Sequence, residues 1–161
     1  LKGYRLIGYE NRLMEAEDFT DDTRDGGELG SGHRLTVLYE LVPIDSAFDI
    51  GTAQSKYTQP APTDSAPAEW LTLSIRAKQP EGNESQLFTY PLPIDTPQEM
   101  TDNLRFAAAV AQVGMLLSDS EWKGTASYDS ALALLRQDTS LSGDVFKEEF
   151  LYLVNLLARG Q

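Results

Sequence analysis

The sequence predicts an α+β domain: a small antiparallel, sandwich-like sheet in its N-terminal part, packed with about three C-terminal helices. Two observations lead there. Stretches of period-two or β-branched and aromatic character fall within residues 1–95, whereas stretches of helical period fall within 96–161. Strands first and helices second is the order of α+β proteins, not of alternating βαβ units. With 161 residues, 41% hydrophobic and 24% charged, the chain is read as a single domain, long enough to bury a core.

Leu1 to Tyr9, LKGYRLIGY, is rich in aromatic and β-branched residues and reads as a strand. A charged, glycine-rich loop follows from Glu15 to Gly32. Arg34 to Val42, RLTVLYELV, is apolar on both alternating faces, which predicts a central strand ended by Pro43. From Asp45 to Ala68 the composition turns to Ser, Thr, Ala, Gln and Pro without a period, the signature of a mobile loop. Glu69 to Lys78 alternates cleanly, with Leu71, Leu73, Ile75 and Ala77 facing in. Pro80 to Asn83 then turns the chain into a partner strand near Gln86 to Tyr90, a hairpin.

After this the period changes. Thr96-Pro97-Gln98-Glu99 has the form of a capping box with proline at the first helical position. It opens either the following helix or a short turn before it. Asn103 to Leu117 is interrupted from Phe106 onward only by Gln112, so it reads as a helix buried all round, the centre of the core. It is too short for a bilayer, which takes roughly 20 apolar residues. A second helix begins near Ser127 and carries Tyr128, Ala131, Leu132, Leu134 and Leu135. A third starts at the N-cap Asp144, with Phe146, Phe150, Val154 and Leu157 on one stripe. Trp122, between the first two helices, is expected to lie as a lid on the core.

Composition excludes several functions. The net charge is −12, from 25 acidic and 13 basic residues, which disfavours nucleic acid and anionic membrane surfaces. The absence of cysteine excludes disulfides and thiolate chemistry. With His33 the only histidine, a two-histidine zinc site within the chain is impossible. The chain opens at Leu1 without an initiator Met or a signal-like segment, which is read as the start of a fragment of a longer protein.

Two stretches carry a family resemblance. YRLIGYENRL, Tyr4 to Leu13, continues into DFTDDTRDGGELGSGHRLTVLYEL, Asp18 to Leu41; the other stretch is NLRFAAAVAQVGMLLSDSEWKGTASYD, Asn103 to Asp129. In that order they resemble the C-terminal domain, of unknown function, of bacterial von Willebrand factor type A domain-containing proteins. The resemblance implies a C-terminal fragment of an exported or cell-envelope protein, with the adjacent von Willebrand module of the same chain as partner. That module carries a metal-dependent adhesion site, whose DxSxS signature is expected outside this fragment. A strand leaving such a module often returns to an interrupted sandwich, a role that Leu1 to Tyr9 would suit. The sheet would then lack strands and leave an edge to be covered.

Candidate sites are few. The loop 18–28 holds Asp18, Asp21, Asp22, Asp25 and Glu28 among glycines, a composition suited to calcium, with Asp21, Asp22, Asp25 and Glu28 as ligands. Its spacing departs from the EF-hand, and a solvated loop with Asx turns is the competing reading. Asn11 and Arg12 follow the first strand, where a guanidinium clamps a carboxylate of the acidic loop or of a partner. His33 has no nucleophile motif beside it and reads as structural. The expectation is therefore a non-catalytic structural or protein-interaction module beside a von Willebrand domain, without cofactor and without membrane insertion. A calcium-stabilised binding module using loop 18–28 is the first alternative. A hydrolase with an unrecognised carboxylate pair is the second.

Overall fold

A computed structural model describes residues 1–9, 18–24, 26–48, 69–96 and 99–160. The expected α+β class holds: paired antiparallel strands come first and three helices follow. The chain divides into two compact units. One comprises Leu1–Leu35 and Tyr39–Pro97; the other comprises Thr36–Leu38 and Gln98–Gln161.

The first unit holds the strands. β1 (Gly3–Ile7) pairs with β2 (Leu38–Val42), and β3 (Glu69–Lys78) pairs with β4 (Ser85–Pro93), each as a two-stranded sheet. The β1–β2 pair is closed by the Lys2 N–H donating to the Val42 carbonyl at 2.8 Å, by an Arg5–Glu40 ion pair and by edge-to-face Tyr4 and Tyr39 at 6.2 Å. The segment expected as a central strand over 34–42 forms its ladder only over Leu38–Val42. Leu35, Val37 and Tyr39 stand exposed. Two apolar faces on a strand predict cover on both sides, whereas among the described residues this strand lies in a two-stranded sheet, with Leu38, Leu41 and Val42 only half-buried.

β3 and β4 pair from Lys78 with Ser85 to Glu69 with Pro93. The turn between them is set by the Gly82 N–H donating to the Gln79 carbonyl at 2.8 Å. Pro80 presets the first central position, and Glu81 takes φ 66°, a left-handed position usually left to glycine. A bulge between Glu69 and Leu71 sets Trp70 out of register. The buried indole N–H of Trp70 meets no acceptor among the described residues. Most of the expected mobile loop, residues 49–68, lies outside the described residues.

The second unit holds the helices. α1 (Asp102–Leu117) is capped by Thr101, whose hydroxyl accepts from the Leu104 N–H. The helix therefore opens at Thr101 and not at Thr96, which lies in the turn after β4. α2 (Tyr128–Arg136) opens with a reciprocal Ser127–Ser130 capping box. α3 (Val145–Arg159) is capped by Asp144, which accepts from the Phe146 and Lys147 N–H groups. The α3 cap is the one the sequence predicts, and α2 begins next to Ser127, where its start was expected.

The core of this unit is Ala109 and Val113 of α1, Tyr128, Ala131, Leu132 and Leu135 of α2, and Val154 of α3. Full burial of a side chain such as Leu135 or Val154 stabilises the unit by about 1.5–3 kcal/mol. Phe106 and Phe150 meet edge to face at 5.5 Å between α1 and α3.

Three expectations change here. α1 is not buried all round: Leu104 and Val110 are each 41% exposed and Leu117 is 63% exposed. Its many alanines need little cover, so one stripe through Ala109 and Val113 suffices. On α3 the buried stripe runs through Phe150, Leu151, Val154, Leu157 and Ala158, whereas Phe146 is 82% exposed. Trp122, expected as a lid, is 48% exposed.

Among the described residues every fully buried apolar side chain belongs to the helical unit. The described residues of the strand unit form ladders without one.

Candidate functional site

The acidic loop begins with a short 3₁₀ turn, Asp18–Thr20, after which Asp21 to Arg24 folds back on itself. The Asp21 carboxylate accepts from the Thr23 N–H at 2.9 Å and from its hydroxyl at 2.7 Å, an Asx turn. Those bonds hold its carboxyl below the usual carboxylate range, with the hydroxyl of Thr23 the largest cause. Arg24 reaches Asp18 at 3.0 Å and Asp21 at 3.9 Å.

Asp22 turns the other way, onto the β3–β4 hairpin. Its carboxylate accepts from the Ser85 hydroxyl, which is the first cause of its lowered pKa, and its carbonyl accepts from Lys78 Nζ. Arg76 Nε donates to Ser85 Oγ at 2.9 Å. The loop thus caps the polar face of the hairpin's end. Of the candidate metal ligands, Asp21 and Asp22 are engaged in these bonds, Glu28 is exposed, and Asp25 lies outside the described residues. Asn11 and Arg12 also lie outside the described residues. His33 is exposed beyond a turn in which its N–H donates to the Gly30 carbonyl at 3.0 Å. Among the described residues no group of three or more His, Cys, Asp or Glu side chains is placed to hold a metal ion.

A second polar cluster lies in the helical unit, where no site was expected. Asp138, between α2 and α3, has a fully buried side chain. Its Oδ1 accepts from the Ser140 N–H at 2.8 Å and the Ser140 hydroxyl at 2.7 Å. Lys147 Nζ donates to Asp138 Oδ2 at 3.1 Å and to Ser140 Oγ at 2.6 Å, and it lies 4.9 Å from the centre of the Phe106 ring. Next to it, the Thr139 hydroxyl and Arg105 both donate to Asp102.

Burial pushes the Asp138 carboxyl up. The bonds from Ser140 and Lys147 outweigh that, and the net shift is downward. The Asp102 carboxyl is lowered too, first by Thr139.

The signal for this cluster was in the sequence. Asp138-Thr139-Ser140-Leu141-Ser142 has the DxSxS spacing expected to lie outside this chain. That expectation is corrected: the spacing occurs. It sits on a helix-to-helix connection, and the cation facing Asp138 and Ser140 is the ammonium of Lys147. Ser142 is exposed in the turn before Gly143. Asp138, Ser140 and Lys147 thus form one closed set of hydrogen bonds.

Comparison with known proteins places these features in context. The family described as "Uncharacterized protein YfbK, C-terminal" matches residues 1–159. "Uncharacterized protein YfbK" of Escherichia coli strain K12 is similar to the chain, with 33% identity over 155 residues. The match covers 95% of this chain and 26% of that relative's length. No solved structure matches the chain. No helix among the described residues is long and apolar enough to cross a membrane.

Proposed function

We propose, from the premise that this chain belongs to the family of YfbK C-terminal domains, that it is a non-catalytic structural and protein-interaction module. Its partner is a von Willebrand factor type A domain of the same polypeptide, as the resemblance of Tyr4–Leu41 and Asn103–Asp129 implies. The exported or cell-envelope setting rests on the same resemblance.

The observation that carries the reading is the uneven distribution of core. The helical unit buries Leu132, Leu135 and Val154, whereas the strand unit pairs β3 with β4 and leaves Leu73, Ile75, Phe88 and Tyr90 39–53% exposed. A hairpin is marginal in water unless its apolar side is covered. The curated relative, of which the match covers 26%, has ample further chain to provide that cover. The polar clusters support the reading as well. Asp22, Asp102 and Asp138 are each bonded to neighbouring side chains and serve the fold.

The test is a thermal melt of the full-length protein against a version lacking this region. The reading expects the remaining module to melt at least roughly 5 °C lower, since lost interfacial burial of about 1–2 kcal/mol moves a domain by that much. An unchanged melt overturns it. Release of product from a generic ester, peptide or glycoside by the full-length protein, lost with this region, overturns its non-catalytic part.

A further inference from the structure

We propose that the face of the β3–β4 hairpin formed by Leu71, Leu73, Ile75, Phe88, Tyr90 and Leu92 is the docking surface for the preceding part of the same polypeptide. This names the surface through which the supporting role would act, and it rests on that reading. The register sets the face: Leu71 pairs with Leu92, Leu73 with Tyr90 and Ile75 with Phe88, so these side chains share one side. Leu73 is 42% exposed, Ile75 43%, Phe88 39% and Tyr90 53%.

The opposite side carries Thr72, Ser74, Arg76 and Lys78. Its turn-proximal end is already covered by the acidic turn through Asp22, Ser85 and Lys78. Among the described residues, folding has therefore covered part of the polar face and left the middle of the apolar one half-exposed, the reverse of what burial favours in a finished structure.

Size and charge select the occupant. Six side chains, four of them half-exposed, present a smaller patch than the roughly 800 Å² per partner of a stable interface between free proteins. A tethered neighbour needs less, because its effective concentration is already on the order of millimolar. A second copy would bring another chain of net charge −12 against the first, and like charges oppose docking. The region matched is the C-terminal part of its family and covers 26% of the relative's length, so such a neighbour precedes it in longer members.

The experiment places a photo-crosslinking benzoylphenylalanine at Tyr90, and separately at Thr89 on the opposite face, in the full-length protein. The expected result is an intrachain cross-link from position 90 to a peptide of the preceding part, and none from position 89. Cross-linked dimers from position 90, absence of any cross-link there, or the same peptide from both positions each overturn the proposal. In parallel, Leu73→Glu in the full-length protein is expected to lower the melting temperature of the preceding part, and Thr89→Lys to leave it unchanged. If deletion of the region destabilises its neighbour while position 90 reaches nothing, this surface assignment falls and the supporting role stands. If position 90 reaches the neighbour but deletion changes no melt, the supporting role falls and the docking surface stands.

Discussion

Lys147 Nζ lies 3.1 Å from Asp138 Oδ2, and the Asp138 side chain has no exposed surface while that of Lys147 keeps 15%. The pair joins the first turn of α3 to the connection after α2, and Ser140 completes it. Most other ion pairs among the described residues have a partner exposed by a quarter or more, where such pairs contribute little. Here one partner without the other would be a stranded buried charge.

Lys147→Met is therefore expected to cost about 3 kcal/mol, because it leaves the Asp138 carboxylate buried without its cation. That corresponds to a fall of roughly 12–24 °C in the melting temperature of the helical unit. The double variant Asp138→Leu with Lys147→Met is expected to recover most of the loss, since no charge is left to desolvate. Calorimetry on the three proteins measures this. A single variant that melts within about 2 °C of wild type would show the pair to be dispensable.

Acid unfolding follows from the same carboxyl. Its folded pKa lies below the ordinary value of 3.8. The pair's contribution is therefore fully present above the unfolded pKa and is lost as pH falls through the folded one. Asp21, Asp22 and Asp102 shift in the same direction. Melting temperatures are expected to change little between about pH 8 and 5 and to drop below about pH 4. The Asp138→Leu, Lys147→Met double variant is expected to lose stability over a shallower acid slope. An equal slope would remove Asp138 from the acid response.

The faces of α3 predict an inversion of side-chain size. Val154 is fully buried and Phe146 is 82% exposed. Val154→Ala is expected to destabilise by about 2 kcal/mol through the cavity it leaves. The much larger truncation Phe146→Ala is expected to stay within about 0.5 kcal/mol. Urea unfolding of the two variants decides this; a greater loss for Phe146 would restore it to the core stripe.

Calcium is the remaining question for the acidic loop. The carboxylates of Asp21 and Asp22 are engaged by Thr23, Arg24 and Ser85, so an ion would have to displace bonds already made. We expect millimolar calcium, added after chelation, to move the melting temperature by less than about 1 °C, the limit set by weak mass action. A saturable rise that Asp22→Asn abolishes would instead identify the loop as an ion site.

What the sequence by itself determined is local. Ser127 and Asp144 cap helices because their side chains accept from N–H groups two or three residues on, and β3 begins and ends where its alternation does, whereas β4 runs past the expected Tyr90 to Pro93. Such signals span a few residues and are legible without a fold. Tertiary structure decided which faces met. It set Phe146 outward and Leu151 inward on a helix apolar on both sides. It brought Lys147 to Asp138 across nine positions, and it laid Asp22 on the polar end of the hairpin, with Leu73 and Tyr90 half-exposed on the other side. Periodicity says that a face is apolar; only the positions of other elements say what covers it, because burial is non-directional and is satisfied by any apolar neighbour that arrives.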